Sequence, residues 1–211
     1  MSPEAITADR VYHDLKQQIM SGQFKPGASI GLASTAEMFG TSISPVRDAL
    51  HRLVGERIVD TIEAGGFSVP SITSRTVQQL YGWHADIVRV ALKAMTKPER
   101  IGPFPGLRHG EDAEAIAAVA AELFERIGFC SANPEHHAAI ISAGQRLHPI
   151  RLKENLLQNI ASELETLWNV TRSANKTALR LAMWHYHRRR LLKAKQLCAA
   201  AGGSIGNGKS L

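Results

Sequence analysis

The spacing of apolar residues changes at Pro70, and this change divides the chain into two parts. Before Pro70, short apolar patterns alternate with turn signals such as Pro26-Gly27. After Pro70, apolar residues recur at helical spacing over long stretches, and strand patterns are hard to find. We therefore predict a mainly α chain with three parts: an amino-terminal domain at 1–72, an all-helical bundle at 73–201 and a flexible tail at 202–211.

The amino-terminal part predicts three helices followed by a β-hairpin. Val11, Leu15 and Ile19 recur every four residues and indicate an amphipathic helix from Asp9 to Ser21. Two shorter helical patterns and two strand patterns follow at 34–39, 45–54, 58–62 and 67–69. Gly65-Gly66 separates the strands and favours a hairpin turn. This order of elements predicts a winged helix-turn-helix.

The third predicted helix, residues 45–54, carries an apolar and a polar face. We predict Ser44 as its N-cap residue and Pro45 as its first helical residue. Four apolar residues are spaced to face the core: Val46, Ala49, Leu50 and Leu53. Arg47 and His51 then share the opposite face. In a helix-turn-helix the first residues of this helix enter the major groove of DNA.

Three polar side chains at the start of this helix could contact DNA. Arg47 can form a bidentate contact with guanine, and it is the residue of this stretch best suited to that contact. The hydroxyls of Ser42 and Ser44, together with the helix N-terminus, can bind phosphate. The alternative interpretation is an ordinary solvated helix face, because a single arginine on such a stretch is common.

Residues 8–70 resemble the winged helix-turn-helix of GntR-type bacterial transcription regulators. The resemblance is carried by Tyr12, Leu15, Ile19-Met20-Ser21-Gly22, Pro26-Gly27, the 42–53 stretch and Gly65-Gly66-Phe67-x-Val69. It implies that Arg47 contacts bases or phosphate, and that the wing backbone at Gly65 and Gly66 approaches the minor groove. Ile43 departs from the pattern, since the family usually carries an Arg there. The candidate DNA-binding residues are Ser42, Ile43, Ser44, Arg47, His51, Gly65 and Gly66.

The helical part resembles the effector-binding, dimer-forming domain of the FadR-like branch of that family. Helical patterns lie at about 73–96, 112–128, 134–145, 150–172 and 176–200. His84 stands where the family commonly has an Arg that binds an effector carboxylate. The resemblance therefore implies His84 as an effector-binding residue and a small organic acid as the effector.

The same resemblance implies a divalent metal, zinc or nickel, bound by Asn133, His137 and His187. Asn133 and His137 have the i, i+4 spacing that places both on one helix face, and His185 competes with His187 for the third position. Other interpretations stay open: Asn133 before Pro134 is typical of a helix N-cap, and the two histidines fit hydrogen-bonded, half-buried positions.

Net charge gives a mixed picture of DNA binding. The chain carries a formal charge of +6, but residues 1–72 hold six Lys and Arg against eight Asp and Glu. DNA binding by this part therefore depends on a few placed residues rather than on bulk charge. The alternative is a helical ligand-binding, metal-binding or interaction protein with a degenerate DNA-binding head.

Several other classes of protein are disfavoured by the sequence. Two cysteines are too few for a disulfide framework or a cysteine zinc site. A metal-dependent enzyme could use His136, His137, His185 and His187, but the sequence has no HExxH spacing, phosphate loop or nucleophile arrangement. We predict that the chain is not an enzyme. It has no apolar run of membrane-spanning length and no export signal at its start, so we expect a cytoplasmic location.

Together these features predict a transcription regulator. It would bind double-stranded DNA at an inverted-repeat operator as a homodimer, and a small metabolite in the bundle would modulate binding.

Overall fold

The computed structural model describes residues 3–63, 65–107, 113–173 and 175–204, with side chains from residue 8 onward. The chain divides into two compact units, Met1–Ile72 and Thr73–Leu211. Most of the predicted tail, residues 205–211, lies outside the described residues. The predicted mainly α fold, a winged helix-turn-helix followed by a helical bundle, is confirmed.

The amino-terminal unit is a three-helix domain with a small antiparallel sheet. Its elements are α1 (Pro3–Met20), β1 (Ser29–Ile30), α2 (Leu32–Met38), α3 (Ile43–Gly55), β2 (Asp60–Ile62) and β3 (Gly66–Ser68). The sheet order is β1-β3-β2, and Thr61 is opposite Phe67 in the hairpin. The apolar faces of α1 and α3 and the inner face of β3 form one core. The predicted core residues of α3 are all fully buried.

The start of α3 differs from the sequence prediction. The helix begins at Ile43, and Ser42 rather than Ser44 occupies the N-cap position. Pro45 is therefore the third helical residue. This position tolerates proline because the first backbone N–H groups of a helix have no intrahelical partner. Ser42 makes no capping hydrogen bond through its side chain within the described part of the chain.

The second unit is helical. Its helices are α4 (Ser74–Lys93), α5 (Ala113–Phe129), α6 (Pro134–Arg151), α7 (Ile160–Ser173), α8 (Lys176–Leu192) and α9 (Ala194–Ala200). Two 3₁₀ turns lie at Pro98–Ile101 and Glu154–Leu156. The start of α4 is fixed by a capping box, in which the Thr76 N–H donates to Thr73 Oγ1 at 3.1 Å and the Thr73 N–H donates to Thr76 Oγ1 at 2.8 Å.

Two predicted helices of this unit are interrupted. The helix predicted at 150–172 is wrong: α6 continues through Pro149 to Arg151, and α7 starts only at Ile160. Burial of Leu147, Ile150 and Arg151 outweighs the backbone bond that Pro149 removes. The helix predicted at 176–200 ends as α8 before Lys193, whose backbone is not helical, and α9 follows.

Candidate functional site

The face of α3 opposite the core is exposed along the amino-terminal half of the helix. Ser42, Ile43, Ser44 and Arg47 are all exposed, while Val46 beside them is fully buried. The structure therefore brings four of the predicted DNA-binding residues together at one end of α3. Such an end presents backbone N–H groups and a positive dipole to a phosphate.

His51 occupies a different position from the rest of this face. Its ring is exposed and packs edge-on against Phe67, with 5.1 Å between the ring centroids. Phe67 belongs to β3, so His51 joins α3 to the β2–β3 hairpin, which is the wing. Its side chain therefore helps to fix the wing against α3.

The tip of the wing has the backbone that its glycines predict. Gly65 has φ +77°, a conformation that L side chains rarely adopt, and its N–H donates to the Ile62 carbonyl at 2.9 Å. A Cβ atom at Gly66 would lie 3.0 Å from Ile62 Cδ1. Both glycines therefore permit a tight turn, and they leave its backbone uncovered by side chains of their own.

Two acidic residues of the amino-terminal unit, Asp9 and Glu56, form ion pairs within the unit. Asp9 Oδ1 accepts from Arg52 Nη1 at 2.9 Å, and the hydrogen bond from Arg52 lowers the pKa of Asp9. Glu56 accepts from Tyr12 Oη and from Lys16 Nζ, each at 2.5 Å. These pairs hold α1 against α3. They also show that the bulk charge of the unit is a poor guide to the charge near Arg47.

A cluster of buried polar side chains lies inside the helical unit, and we call it the central polar cluster. Its members are Tyr81, His84, Arg151, Glu154, Tyr186, His187 and Arg190. Each is less than one-tenth exposed. The two histidines were predicted from the sequence as site residues, whereas the charged members of the cluster were not.

Hydrogen bonds fix the tautomers of the two histidines. Arg151 Nη2 donates to His84 Nε2 at 3.1 Å, because a guanidinium cannot accept. His84 Nδ1–H therefore donates to His187 Nε2 at 2.9 Å, and His187 Nδ1–H donates to the Met183 carbonyl at 2.8 Å. In each ring Nε2 accepts and Nδ1–H donates, so both histidines are neutral.

A buried ion pair completes the cluster. Arg190 Nη2 and Nε donate to the two carboxylate oxygens of Glu154 at 2.8 and 3.1 Å, and Tyr81 Oη also donates to Glu154. Arg190 Nη1 additionally donates to Glu163 at 2.9 Å. Burial alone would raise the pKa of Glu154, but the Arg190 guanidinium and these hydrogen bonds lower it below its usual value. Glu154 is therefore an ionised carboxylate at neutral pH.

His84 and Arg151 differ in how their polar groups are satisfied. His84 was predicted to bind an effector, but the structure buries it fully and gives both ring nitrogens partners. Arg151, 1% exposed, has no hydrogen-bond partner for Nε and Nη1 among the described residues. A sequence signal for Arg151 existed, since it continues the helical stripe of Ile140, Gly144 and Leu147.

The three predicted metal ligands have separate surroundings. Asn133 is the N-cap of α6, and its Oδ1 accepts from the Glu135 N–H at 3.0 Å. His137 Nε2 is 3.9 Å from Glu125 Oε1, beyond hydrogen-bond distance, while both ring nitrogens of His187 are in use. Among the described residues, no three His, Cys, Asp or Glu side chains are placed to hold a metal ion together. These residues therefore do not fit a zinc or nickel centre, and metal binding stays a prediction.

Acidification should destabilise the helical unit through the histidine pair. Burial and the nearby Arg151 and Arg190 lower the pKa of His84 well below its ordinary value of 6.5, and burial lowers that of His187 to about 4. The Glu154 carboxylate has the opposite effect and raises the pKa of His187. Below about pH 6.5 the unfolded histidines bind protons that the folded ones do not, so the helical unit loses stability as the pH is lowered, and for His187 this loss continues to about pH 4.

Denaturant unfolding at pH 7.5 and 5.5, followed by tryptophan fluorescence, measures this loss. Trp83, Trp168 and Trp184 are the chain's three tryptophans, and all belong to the helical unit. Replacing both histidines by glutamine should remove most of the pH dependence, whereas His51→Gln in the other unit should leave it unchanged. An unchanged pH dependence in the double variant would contradict the assignment.

Comparison with known proteins identifies the amino-terminal unit. The family described as bacterial regulatory proteins, gntR family, matches residues 7–69. The regulator YdhC of Bacillus subtilis strain 168 is 33% identical over 82 residues, which are 39% of this chain and 37% of YdhC. McbR of Escherichia coli strain K12 is 36% identical over 85 residues, 39% of this chain and 38% of McbR. The amino-terminal unit is a GntR-family winged helix-turn-helix domain.

The likeness to solved structures extends over both units. The structure of E. coli McbR/YncC aligns with 90% of this chain, and the alignment includes 97% of the McbR/YncC chain, with a TM-score of 0.59 and 22% sequence identity. This shows that the chain has the same fold. The alignments with YdhC and McbR span less than two fifths of the length of each relative. Both relatives are named as transcriptional regulators. Among the described residues, none of the helices is both long and apolar enough to cross a membrane.

Proposed function

We propose that this chain is a transcription regulator that binds an inverted-repeat DNA site as a homodimer through α3 and the wing. The observation that carries the proposal is the exposed amino-terminal end of α3, with Arg47 outward and Val46 in the core. The GntR-family match over residues 7–69 supports the same conclusion.

The proposed contacts follow from the geometry of α3 and the wing. The first turns of α3 enter the major groove, where Arg47 can donate two hydrogen bonds to guanine O6 and N7. Ser42, Ser44 and the free N–H groups of the helix N-terminus bind a phosphate and fix the register. The uncovered backbone at Gly65 and Gly66 lies against the neighbouring minor groove, and His51 holds the wing in place through Phe67.

Selection of bound sites from random duplex DNA by the intact chain tests this function. The proposal predicts two half-sites in inverted orientation, with centres separated by one helical turn of about 10 base pairs or a multiple of it. A chain with a degenerate head would enrich no sequence. That result would overturn the proposal in favour of a helical ligand-binding or interaction protein.

Homodimer formation is supported by exposed apolar side chains on two neighbouring helices. Trp83 and Val90 lie two turns apart on α4, while Leu181, Trp184 and Leu192 follow one another along α8. His84 and His187 join the two helices in the interior. Trp184 is 52% and Leu192 68% exposed, which is costly for side chains of this size. We propose that a second copy of the chain covers this face.

Trp184→Asp should weaken the dimer strongly, because it places a charge at the centre of the proposed seam. Sedimentation at a series of protein concentrations should show a shift from dimer to monomer. Phe129→Asp is the matched control, since Phe129 is 60% exposed at the end of α5 and its ring lies beside His137 of α6. A dimer that survives Trp184→Asp unchanged, or an equal effect of the control, would contradict this choice of face.

Modulation by a small organic acid is supported by the state of Arg151. The Nε and Nη1 groups of this buried guanidinium have no hydrogen-bond partner among the described residues, and neither does Tyr186 Oη. Unpaired buried donors are costly, and a carboxylate can accept two parallel hydrogen bonds from the Nη1/Nη2 edge or the Nη2/Nε edge of a guanidinium. We therefore assign anion binding to Arg151, which His84 holds in place through Nη2.

A thermal-shift screen of small mono- and dicarboxylic acids on the intact chain tests this assignment. A binding acid should raise the unfolding temperature, its uncharged amide should not, and Arg151→Lys should lose most of the response because lysine cannot form the bidentate contact. If no acid raises the unfolding temperature, or acid and amide act alike, Arg151 is not an effector site.

A further inference from the structure

The first residue of the recognition helix is an exposed aliphatic side chain. Ile43 is 42% exposed and begins α3 between the exposed Ser42 and Ser44. It lies outside the apolar core that the described residues of this unit form. Packing in that core therefore does not account for an isoleucine at position 43.

Ile43 and Arg47 are neighbours on the surface of α3. They are separated by four residues, so their side chains lie one helical turn apart on the same face. Val46 and Ala49, on the other side of the helix, are fully buried, which fixes this rotation of α3. An approach of α3 that brings Arg47 to a base edge therefore brings Ile43 to an adjacent base pair.

The chemistry of the major groove selects the partner of such a side chain. The side chain of Ile43 has no hydrogen-bonding group, so it can bind neither phosphate nor the donors and acceptors of a base edge. The apolar group that base pairs present in the major groove is the C5 methyl of thymine. An isolated exposed aliphatic residue is ordinary on a protein surface. Its place at the leading end of α3 gives this one a defined partner.

We propose that Ile43 reads a thymine methyl group next to the base contacted by Arg47. The inference rests on the proposed DNA binding and adds the base class that the start of α3 prefers. Each selected half-site should contain a thymine near the Arg47 contact, and the methyl group of that thymine should contribute to affinity.

Single replacements of thymine by deoxyuridine in a selected site test the inference, because they remove only the methyl group. At one position in each half-site, this change should weaken binding of the intact wild-type chain about four-fold, the effect of exposing one buried methyl-sized group. Ile43→Ala should bind the normal site several-fold more weakly and should no longer distinguish thymine from deoxyuridine. Ile43→Val, which keeps branched methyl groups, should retain the distinction.

Leu156→Ala provides a matched control, because it shortens an exposed aliphatic side chain of the other unit that lies outside the proposed dimer face. It should leave the preference for thymine unchanged. Wild-type protein that binds every deoxyuridine site as tightly as the normal site overturns the inference. So does an Ile43→Ala variant that keeps the full thymine preference. Failure of the proposed function is distinguishable, because then no sequence is enriched at all.

Discussion

Replacing Glu154 with alanine should lower the free energy of unfolding of the helical unit by about 3–5 kcal/mol, the usual cost of breaking a buried ion pair. Glu154 and Arg190 have fully buried side chains and share two hydrogen bonds. Among the described residues, the substitution leaves the Arg190 guanidinium with the partly exposed Glu163 as its remaining carboxylate partner, and it also removes the acceptor of Tyr81. The nearby Arg151 adds positive charge that Glu154 no longer offsets.

Denaturant unfolding of the intact chain, followed by tryptophan fluorescence, measures this effect. Glu122→Ala is the control, since it breaks a pair with Arg126 at 2.7 Å in which both side chains are about two-fifths exposed. That loss should be at most about 1 kcal/mol. Equal effects of the two substitutions would show that the central polar cluster does not stabilise the fold as its geometry indicates.

Arg47→Ala should reduce affinity for a selected DNA site by about 1–3 kcal/mol, roughly 5- to 150-fold, if Arg47 reads a base. The side chain is exposed at the end of α3 that we propose to enter the groove, so its removal leaves the core of the unit intact. The loss should be smaller on unrelated duplexes, because non-specific binding depends mainly on phosphate contacts.

Arg180→Ala removes the same charge from an exposed position on α8 and serves as the matched control. It should change affinity little on either duplex. Arg47→Lys separates the two roles, since lysine keeps the charge but not the bidentate geometry. An equal loss on every sequence would reduce Arg47 to a phosphate contact.

The amino-terminal fold was largely predictable because its determinants are local. The spacing of Val46, Ala49, Leu50 and Leu53 alone fixed which face of α3 is buried. The N-cap prediction was two residues off, because proline is tolerated at any of the first helical positions. The pairing of Arg52 with Asp9 was not predictable, since it depends on how α1 packs on α3.

The central polar cluster could not be derived from local patterns. Tyr81 and Glu154 are 73 residues apart in the chain, and His84 and His187 are 103 residues apart. Sequence reasoning assigns a charged residue such as Glu154 to the surface, because burial of an unpaired charge is prohibitive. Only the fold shows that Arg190 compensates for that burial.

The ratio of dissociation constants for a selected inverted repeat and a scrambled duplex of equal length tests the central claim most directly. It is measured with the intact chain at one fixed, near-physiological salt concentration. The account predicts that the selected site binds at least about 1,000-fold more tightly, as specific regulators do. Equal dissociation constants for the two duplexes would contradict it.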